Sequence, residues 1–220
     1  MKETTRGPIT VIAVNPGSTS TKLAVFRDGK AVTSMNIEHD VAVLSSKGSI
    51  KGQLGYRLEM IEAALAGGHW VQEGLSAVVG RGGLLKPMEG GVYEVDDRMV
   101  EDALERPVAH HASNLGCAIA LNIARRSGVP AYIVDPVSTD EYEPEARVSG
   151  LPQLPRVSLL HALSARSSAR RAAAELGIEL KKARFVIAHM GGGTTVCAMR
   201  DGRHTRCNRV TGVQTCALPI

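Results

Sequence analysis

Short apolar runs separated by turn residues fill the first forty positions and predict three strands. The runs cover residues 9–14, 22–27 and 30–37, and Asp28 and Gly29 lie between the last two. An Asp-Gly pair favours a tight hairpin, because both residues tolerate the positive φ that this turn requires. The chain is therefore expected to open with one antiparallel unit of three strands.

Helical spacing of apolar residues follows this opening unit. Residues 53–66 carry Leu54, Leu58, Ile61 and Leu65 at helical intervals and end at Gly67 and Gly68. Further helices are predicted from Asp96 or Asp97 to about Leu104 and from Asn114 to Gly128, the latter with Leu115, Ile119 and Ile123 on one face. Residues 77–79 and 131–134 are predicted to be strands between these helices. Strands that alternate with helices after an opening meander predict an α/β fold.

The turn between the first two strands, residues 15–21 with the sequence NPGSTST, is suited to binding phosphate. Glycine and small hydroxyl residues let backbone N–H groups converge on an anion. A Walker A loop would instead need a Gly-Lys pair that leads into a helix, whereas a strand follows here. An ordinary polar hairpin is the alternative. The candidate phosphate ligands are Asn15, Gly17, Ser18, Thr19, Ser20 and Lys22.

The chain uses the same arrangement a second time at residues 185–199, FVIAHMGGGTTVCAM. An apolar strand leads into a triple glycine and two threonines, and a second apolar run follows. Two such units, far apart in sequence, predict two lobes of βββ type that each offer a loop to one nucleotide triphosphate.

Five segments resemble the acetate/butyrate kinase family, within the superfamily of acetate and sugar kinases, heat-shock 70 proteins and actin. In chain order they are VNPGSTSTK in the first turn, VVGRGGLLKP at 78–87, PVAHHASNLG at 107–116, IVDPVSTDE at 133–141 and AHMGGGTT at 188–195. The resemblance covers about residues 9–203. It implies an α/β, two-lobe actin-like ATPase fold of the ribonuclease H type. The first lobe is expected to be complete over residues 1–180, and a truncated second lobe is expected to begin in residues 181–203.

The resemblance also implies an activity. The longer parent protein is expected to move the γ-phosphate of ATP to a short-chain carboxylate such as butyrate or a branched analogue, with Mg²⁺, or to run the reverse reaction from ADP. It implies a homo-oligomer in the parent. Two alternatives stay open: an ATP-hydrolysing switch domain of the heat-shock 70 or actin type, and a non-catalytic fragment.

Arginine and histidine supply the fixed positive charge that phosphoryl transfer needs, because negative charge spreads over the oxygens of the migrating group. Arg81 follows a predicted strand between glycines, where it enters a cleft or is an ordinary surface residue. Acetate kinases carry their arginine slightly earlier in this motif. His110 precedes a helix N-terminus, a natural anion site, and matches the substrate-side histidine of the family. Its neighbour His111 is the competing candidate.

Asp135 follows a predicted strand at its C-terminal end, where α/β folds place catalytic groups. Its carboxylate suits either Mg²⁺ or the ordering of a catalytic arginine, and the alternative is a turn carboxylate before Pro136. His161 resembles a further motif histidine of the family, although its position alone indicates only the start of a helix. By the same resemblance His189, Gly191, Gly192, Gly193 and Thr194 form the second phosphate loop, with Gly192 where acetate kinases have asparagine.

Composition agrees with a cytoplasmic enzyme. The chain is 44% hydrophobic and 22% charged, its longest apolar runs are too short to span a bilayer, and its start lacks the apolar segment of a signal peptide. The net charge of +4 accompanies few aromatic residues, which argues against nucleic acid as a partner. The four cysteines, Cys117, Cys197, Cys207 and Cys216, have neither zinc-site nor disulfide spacing, and the first two are expected to be buried.

Two further predictions concern surface and tail. Arg166, Arg170 and Arg171 are expected on the solvated side of a helix that ends at Gly177. Residues 204–220 lack the glycine- and acid-rich continuation typical of the family, and their end, VTGVQTCALPI, resembles translated sequencing-adapter read-through. These residues are therefore predicted to be non-native and to take no part in a packed core.

Overall fold

The structure is a computed structural model that describes residues 7–66, 74–190 and 194–210, with the backbone alone for residues 206–210. The chain divides into two compact units. The first unit comprises Met1–Leu85 and Val92–Val134, and the second comprises Lys86–Gly91 and Asp135–Ile220. The units thus change at Val134 and Asp135, and the lobe boundary near residue 180 stays a prediction.

A mixed six-stranded sheet forms the centre of the first unit. Its strands in chain order are β1 Thr10–Pro16, β2 Ser20–Arg27, β3 Lys30–Glu38, β4 Leu75–Gly80, β5 Val92–Glu94 and β6 Ala131–Val134. They lie in the order β3-β2-β1-β4-β6-β5. Strands β1 to β3 are antiparallel, whereas β4 runs parallel to β1 and β6. The predicted opening unit of three antiparallel strands is confirmed.

The turn between β2 and β3 has the predicted geometry. Asp28 and Gly29 have φ values of 49° and 77°, and Arg27 pairs with Lys30 across the turn. Both central residues therefore lie in the left-handed region, as a two-residue hairpin of this kind requires.

Four helices accompany this sheet: α1 Val41–Ser46, α2 Leu54–Ala66, α3 Asp97–Glu105 and α4 Leu115–Ser127. The last three confirm the predicted helices, and Asp96 is the residue that caps α3 by accepting the Met99 N–H at 2.7 Å. Helix α1 was not predicted, because its six residues are too few to show a period. Asp40 caps it through the Ala42 N–H at 2.7 Å.

The core of the first unit lies between the sheet and α4. Leu115 and Ile119 on α4 and Ile12, Val78 and Ile133 on the strands are all fully buried. Parallel strands need a covering helix, and α4 covers β4 and β6. Burial raises the pKa of the Cys117 thiol in the same helix to about 11, so this cysteine is an inert core residue, as predicted.

The second unit holds helix α5 Ala162–Glu175 and three antiparallel strands, β7 Arg184–Met190, β8 Thr194–Arg200 and β9 Arg203–Val210, in the order β7-β8-β9. This confirms a second strand-turn-strand unit. Its core includes Leu160, Ala165, Ala169, Cys197 and Met199. Helix α5 packs against β7, which buries the alanine face of the helix.

Two predictions about the second unit need correction. The residues after Arg203 were expected outside any packed core, but β9 continues to Val210 and His204 is only 1% exposed. Arg166 was placed on the solvated side of its helix, but it is only 8% exposed, whereas Arg170 and Arg171 are exposed as predicted. Residues 211–220 lie outside the described residues, and their non-native origin stays a prediction.

In the part of the chain that the structure describes, none of the helices has both the length and the apolar character to cross a bilayer.

Candidate functional site

The first candidate loop connects β1 to β2 with a tight backbone turn. The Gly17 N–H donates to the Ser20 carbonyl at 2.7 Å, and Pro16 pairs with Thr21 where the strands resume. Residues Asn15, Ser18, Thr19 and Lys22 are exposed, and Gly17 and Ser20 are partly exposed. The loop therefore offers hydroxyl, amide and ammonium donors to solvent from one short segment.

Arg81 lies beside this loop, although it is 66 residues away in sequence. Its Nη1 donates to Oδ1 of Asn15 at 3.2 Å, and its backbone N–H donates to the Val14 carbonyl at 2.8 Å. The side chain is half-buried, and burial lowers the pKa of its guanidinium from the ordinary value. The residue is thus held against the first loop rather than being free on the surface, and it remains charged because the ordinary pKa of arginine is so high.

Two glycines allow Arg81 this position. A Cβ on Gly116, in the first turn of α4, would overlap the carbonyl oxygen of Arg81, and one on Gly80 would overlap the Gly116 carbonyl. Helix α4 can therefore approach the end of β4 only because both positions lack a side chain.

His110 and His111 differ in what they contact. His111 caps the short 3-10 turn before α4: its Nδ1 accepts the Ser113 N–H at 3.1 Å and lies 2.8 Å from the Ser113 hydroxyl. His110 is exposed. Asn114 is the N-cap residue of α4, as predicted, but its side chain makes no capping bond and instead accepts the Leu84 N–H and donates to the Ala109 carbonyl. His111 therefore has a structural partner, and this favours His110 as the residue that reaches a ligand.

In the second unit Asp135 is buried and paired with Arg166. Its Oδ1 accepts hydrogen bonds from Nη1 of Arg166 and, at 2.9 Å, from the Gly91 N–H. The Asp135 N–H donates in return to the Gly91 carbonyl at 3.0 Å. Asp135 has a φ of 41°, a left-handed conformation that is uncommon outside glycine but easier for aspartate. Its carboxylate thus holds the guanidinium of Arg166, and the two roles predicted for it in catalysis stay predictions.

Glu141 shares Arg166 with Asp135. It also accepts the Gly90 N–H at 3.1 Å and lies 3.2 Å from Nδ1 of His204. Burial alone would raise the pKa of Glu141, but the hydrogen bonds and charges of His204 and Arg166 outweigh it and hold this pKa at about 2. The carboxylate is thus ionised at neutral pH.

His161 and His189 stack on each other in the same unit. Their ring centroids are 4.1 Å apart and the rings are inclined by 15°. His161 Nδ1 lies 3.5 Å from the Thr195 hydroxyl, and His189 Nδ1 lies 3.2 Å from the Ser164 hydroxyl. Thr194 begins β8 and is partly exposed, whereas the predicted ligands Gly191, Gly192 and Gly193 lie outside the described residues. The structure thus brings two predicted site histidines together at the end of β7.

The candidate residues divide between the two units. Asn15, Arg81 and His110 belong to the first, with the other residues of the first loop. Asp135, His161, His189 and Thr194 belong to the second. Within the described residues no group of three or more His, Cys, Asp or Glu is arranged to hold a metal ion. Asp135 and Glu141 direct oxygens at Arg166, so by themselves they do not fit an Mg²⁺ site.

The sequence interpretation missed several buried charged residues, among them Arg57, Arg166 and Glu141. Arg57 carried a recognisable signal, because it occupies the apolar face of the predicted helix together with Leu58 and Ile61. An arginine on such a face has to find polar partners inside the protein. Arg166 likewise falls on the alanine face of α5, three residues before Ala169 and one after Ala165.

Comparison with curated proteins gives consistent relatives. The chain is 44% identical over 197 residues to the protein named "Probable butyrate kinase" of Oleidesulfovibrio alaskensis, which covers 88% of this chain and 53% of that protein. It is 44% identical over 193 residues to "Butyrate kinase 2" of Clostridium acetobutylicum, covering 88% of this chain and 54% of that protein. No protein-family model matches the chain. The chain spans about half the length of the curated relatives it matches.

Solved structures agree on the fold. An acetate kinase from Porphyromonas gingivalis superimposes with a TM-score of 0.67 at 17% identity, over 92% of this chain and 57% of that one. A propionate kinase from Francisella tularensis gives a TM-score of 0.67 at 14% identity over the same shares. The expected actin-like α/β fold is confirmed. Over about nine tenths of its length, this chain is therefore a homologue of the curated butyrate kinases, with the fold of the acetate and propionate kinases.

Proposed function

We propose that the longer parent of this chain is a cytoplasmic, homo-oligomeric kinase that transfers the γ-phosphate of ATP to a short-chain carboxylate, with butyrate or a branched analogue as the acceptor, or runs the reverse reaction. The observation that carries the proposal is 44% identity to proteins named butyrate kinase over 88% of the chain. The geometry of the first loop and Arg81 supports it.

The proposed reaction needs no proton transfer. A carboxylate is ionised at neutral pH, so one of its oxygens attacks the γ-phosphorus directly, a new O–P bond forms, and the bond from phosphorus to the β-phosphate oxygen breaks to release ADP. Catalysis then depends on position and on fixed positive charge. Arg81 is proposed to supply that charge, because it is pinned beside the loop by Asn15 and needs no rearrangement when charge develops.

The other candidate residues have related proposed roles. His110 and His161 are proposed to position the acceptor and the migrating phosphoryl group. Asp135 is proposed to contribute to catalysis through the guanidinium of Arg166, which its carboxylate holds. The ATP phosphates are proposed to contact two sets of residues: Asn15, Gly17, Ser18, Thr19, Ser20 and Lys22 in the first loop, and His189, Gly191, Gly192, Gly193 and Thr194 in the second. Mg²⁺, when bound to the nucleotide, would neutralise phosphate charge and normally takes one or two carboxylates together with the phosphates. Asp135, the ligand expected from the sequence, is already engaged by Arg166, so no protein ligand for the ion is proposed.

The test is formation of acyl hydroxamate by the parent from ATP and carboxylates of increasing chain length. Butyrate or a branched analogue is expected to give the highest turnover, and a reaction without acceptor is expected to give little ADP. ATP hydrolysis that is independent of any carboxylate would reject the kinase in favour of the ATPase switch. Isothermal titration of the 220-residue chain with ATP tests the fragment: weak or absent binding is expected, and micromolar binding would contradict it.

A further inference from the structure

Arg57 lies beneath the first loop and is fully buried, although it carries a charge. Buried guanidinium groups are usually paired with carboxylates. Within the residues that the structure describes, no carboxylate forms an ion pair with Arg57, and its hydrogen-bond acceptors are carbonyl, hydroxyl and amide oxygens. The buried guanidinium of Arg57 is therefore compensated by neutral oxygen acceptors and not by an internal ion pair.

All three nitrogens of this guanidinium are engaged. Nη2 donates to the Ser18 carbonyl at 3.1 Å, and Nη1 donates to the Ser20 carbonyl at 3.3 Å and to the Thr21 hydroxyl at 3.1 Å. Gln53, one turn earlier, accepts from Nε at 3.2 Å and from Nη2 at 3.0 Å. Because a guanidinium is planar and rigid, Gln53 fixes its plane and so fixes the direction of the bonds to the loop.

The intervening carbonyl, that of Thr19, is bound by another residue, which directly follows β3. The His39 N–H donates to the Thr19 carbonyl at 2.8 Å, and the His39 Nε2 lies 2.8 Å from the Thr21 hydroxyl that Arg57 also contacts. Three consecutive carbonyls, those of residues 18, 19 and 20, are thus bound by protein donors.

The direction of these carbonyls decides where the loop N–H groups point. In a trans peptide the C=O and the following N–H point in opposite directions. Anchoring the carbonyls of Ser18 and Thr19 therefore directs the N–H groups of Thr19 and Ser20 away from the anchoring donors. Converging backbone N–H groups of this kind make an anion-binding concavity.

We propose that Arg57 is the positioning residue of the first phosphate loop: its fork holds the carbonyls of residues 18 and 20 so that the loop presents N–H groups to phosphate. This inference rests on the proposed function, because it assumes that the loop binds the phosphates of a nucleotide. Arg57 itself stays behind the loop and touches no substrate.

The experiment compares Arg57→Lys and Arg57→Gln with the unsubstituted 220-residue chain by amide hydrogen exchange, without nucleotide. Lysine keeps the charge and loses the fork, whereas glutamine loses the charge. Gly17 and His39 are the reporters, since their N–H groups donate to the loop carbonyls of residues 20 and 19. Their exchange is expected to rise tenfold or more in both variants, while helix α4 keeps its protection. Arg170→Gln, on the exposed face of α5, is the matched control and should change neither.

Three outcomes would overturn the proposal: unchanged exchange at Gly17 and His39 in both variants, an equal rise in α4, which would mark a general packing role, or absence of protection at these two amides in the unsubstituted chain. A kinetic arm in the parent adds a second readout, with the KM for ATP expected to rise about tenfold or more in Arg57→Lys. A parent that makes no acyl phosphate would reject the proposed function, while the exchange result would still decide whether Arg57 holds the loop.

Discussion

The carboxylate of Asp135 accepts a hydrogen bond from the guanidinium of Arg166, a residue 31 positions later in the chain. Asp135 is the residue directly after β6, and Arg166 lies in the second turn of α5; both residues belong to the second unit. Both side chains are almost fully buried, at 2% and 10% exposed. The same guanidinium also pairs with Glu141, so one arginine compensates two buried carboxylates.

Replacing Arg166 by methionine should destabilise the chain by about 3–5 kcal/mol, because two carboxylates would stay buried without their cation. Urea denaturation of the 220-residue chain measures this free energy of unfolding. The exposed Arg170→Met is the matched control and should change it by no more than about 0.5 kcal/mol. Adding Asp135→Asn and Glu141→Gln to Arg166→Met should recover part of the loss, and equal losses in the two single arginine variants would contradict the assignment.

Glu141 should make stability depend on acid pH. Its pKa is about 2 in the folded chain against an ordinary value of 4.5, so the unfolded chain binds more protons between these values. The stabilisation is fully present above about pH 4.5 and is lost as pH falls toward 2, with a total of about 3 kcal/mol. Glu141→Gln should lose stability at neutral pH and show a shallower decline with acid. Denaturation curves from pH 6 to pH 3 measure it, with the exposed Glu145→Gln as control; parallel declines in all three proteins would refute the prediction.

Arg81→Ala and Asp135→Ala in the parent should each lower turnover by about a hundredfold or more, the scale of losing one preorganised charged group. Folding should survive in Arg81→Ala, since its side chain is only half-buried. Acyl hydroxamate formation at saturating ATP measures turnover, and circular dichroism checks the fold. Arg171→Ala, at an exposed position, should keep full activity. Turnover near that of the unsubstituted parent in either variant would return that residue to a structural role.

Gly116→Ala should destabilise the first unit by about 1–3 kcal/mol, because the new Cβ would overlap the backbone of Arg81. Gly55→Ala is the matched comparison. Gly55 lies in α2 with open space around a Cβ, so alanine there should stabilise the chain by about 0.5–1 kcal/mol through the entropy of the unfolded state. The midpoint temperatures of thermal unfolding should therefore shift in opposite directions in the two variants. Shifts of the same sign would contradict the close contact between Gly116 in α4 and the backbone that follows β4.

The local elements could be read from the sequence because each depends on neighbours along the chain. The Asp28-Gly29 hairpin needed only two residues that accept positive φ, and Leu115 and Ile119 showed their common face by spacing alone. The glycine- and hydroxyl-rich loop after β1 was likewise visible, because its chemistry is contained in seven consecutive residues. Burial of Cys117 followed from its place among apolar neighbours.

The partners of charged side chains were decided by the tertiary structure. Arg57 reaches the Ser18 carbonyl across 39 positions, Arg81 reaches Asn15 across 66, and Arg166 reaches Asp135 across 31. Arg166 was misjudged because three nearby arginines suggested one solvated helix face. In the structure its side chain lies on the buried face of α5 and pairs with two carboxylates. His204 was assigned to a tail without a core, and only its bonds to β8 and the Thr139 carbonyl reveal a buried residue.

The physical reason is the range of the forces involved. Backbone period and turn conformation are set within a few residues, so the sequence by itself determined strands β1 to β3, helices α2 to α4 and the chemistry of the first loop, but not helix α1 or strand β9. A buried charge is stable only where distant segments bring it an acceptor, and no local pattern records which segment that will be. The tertiary structure alone decided that Arg57 lies under the first loop and that Asp135 holds Arg166.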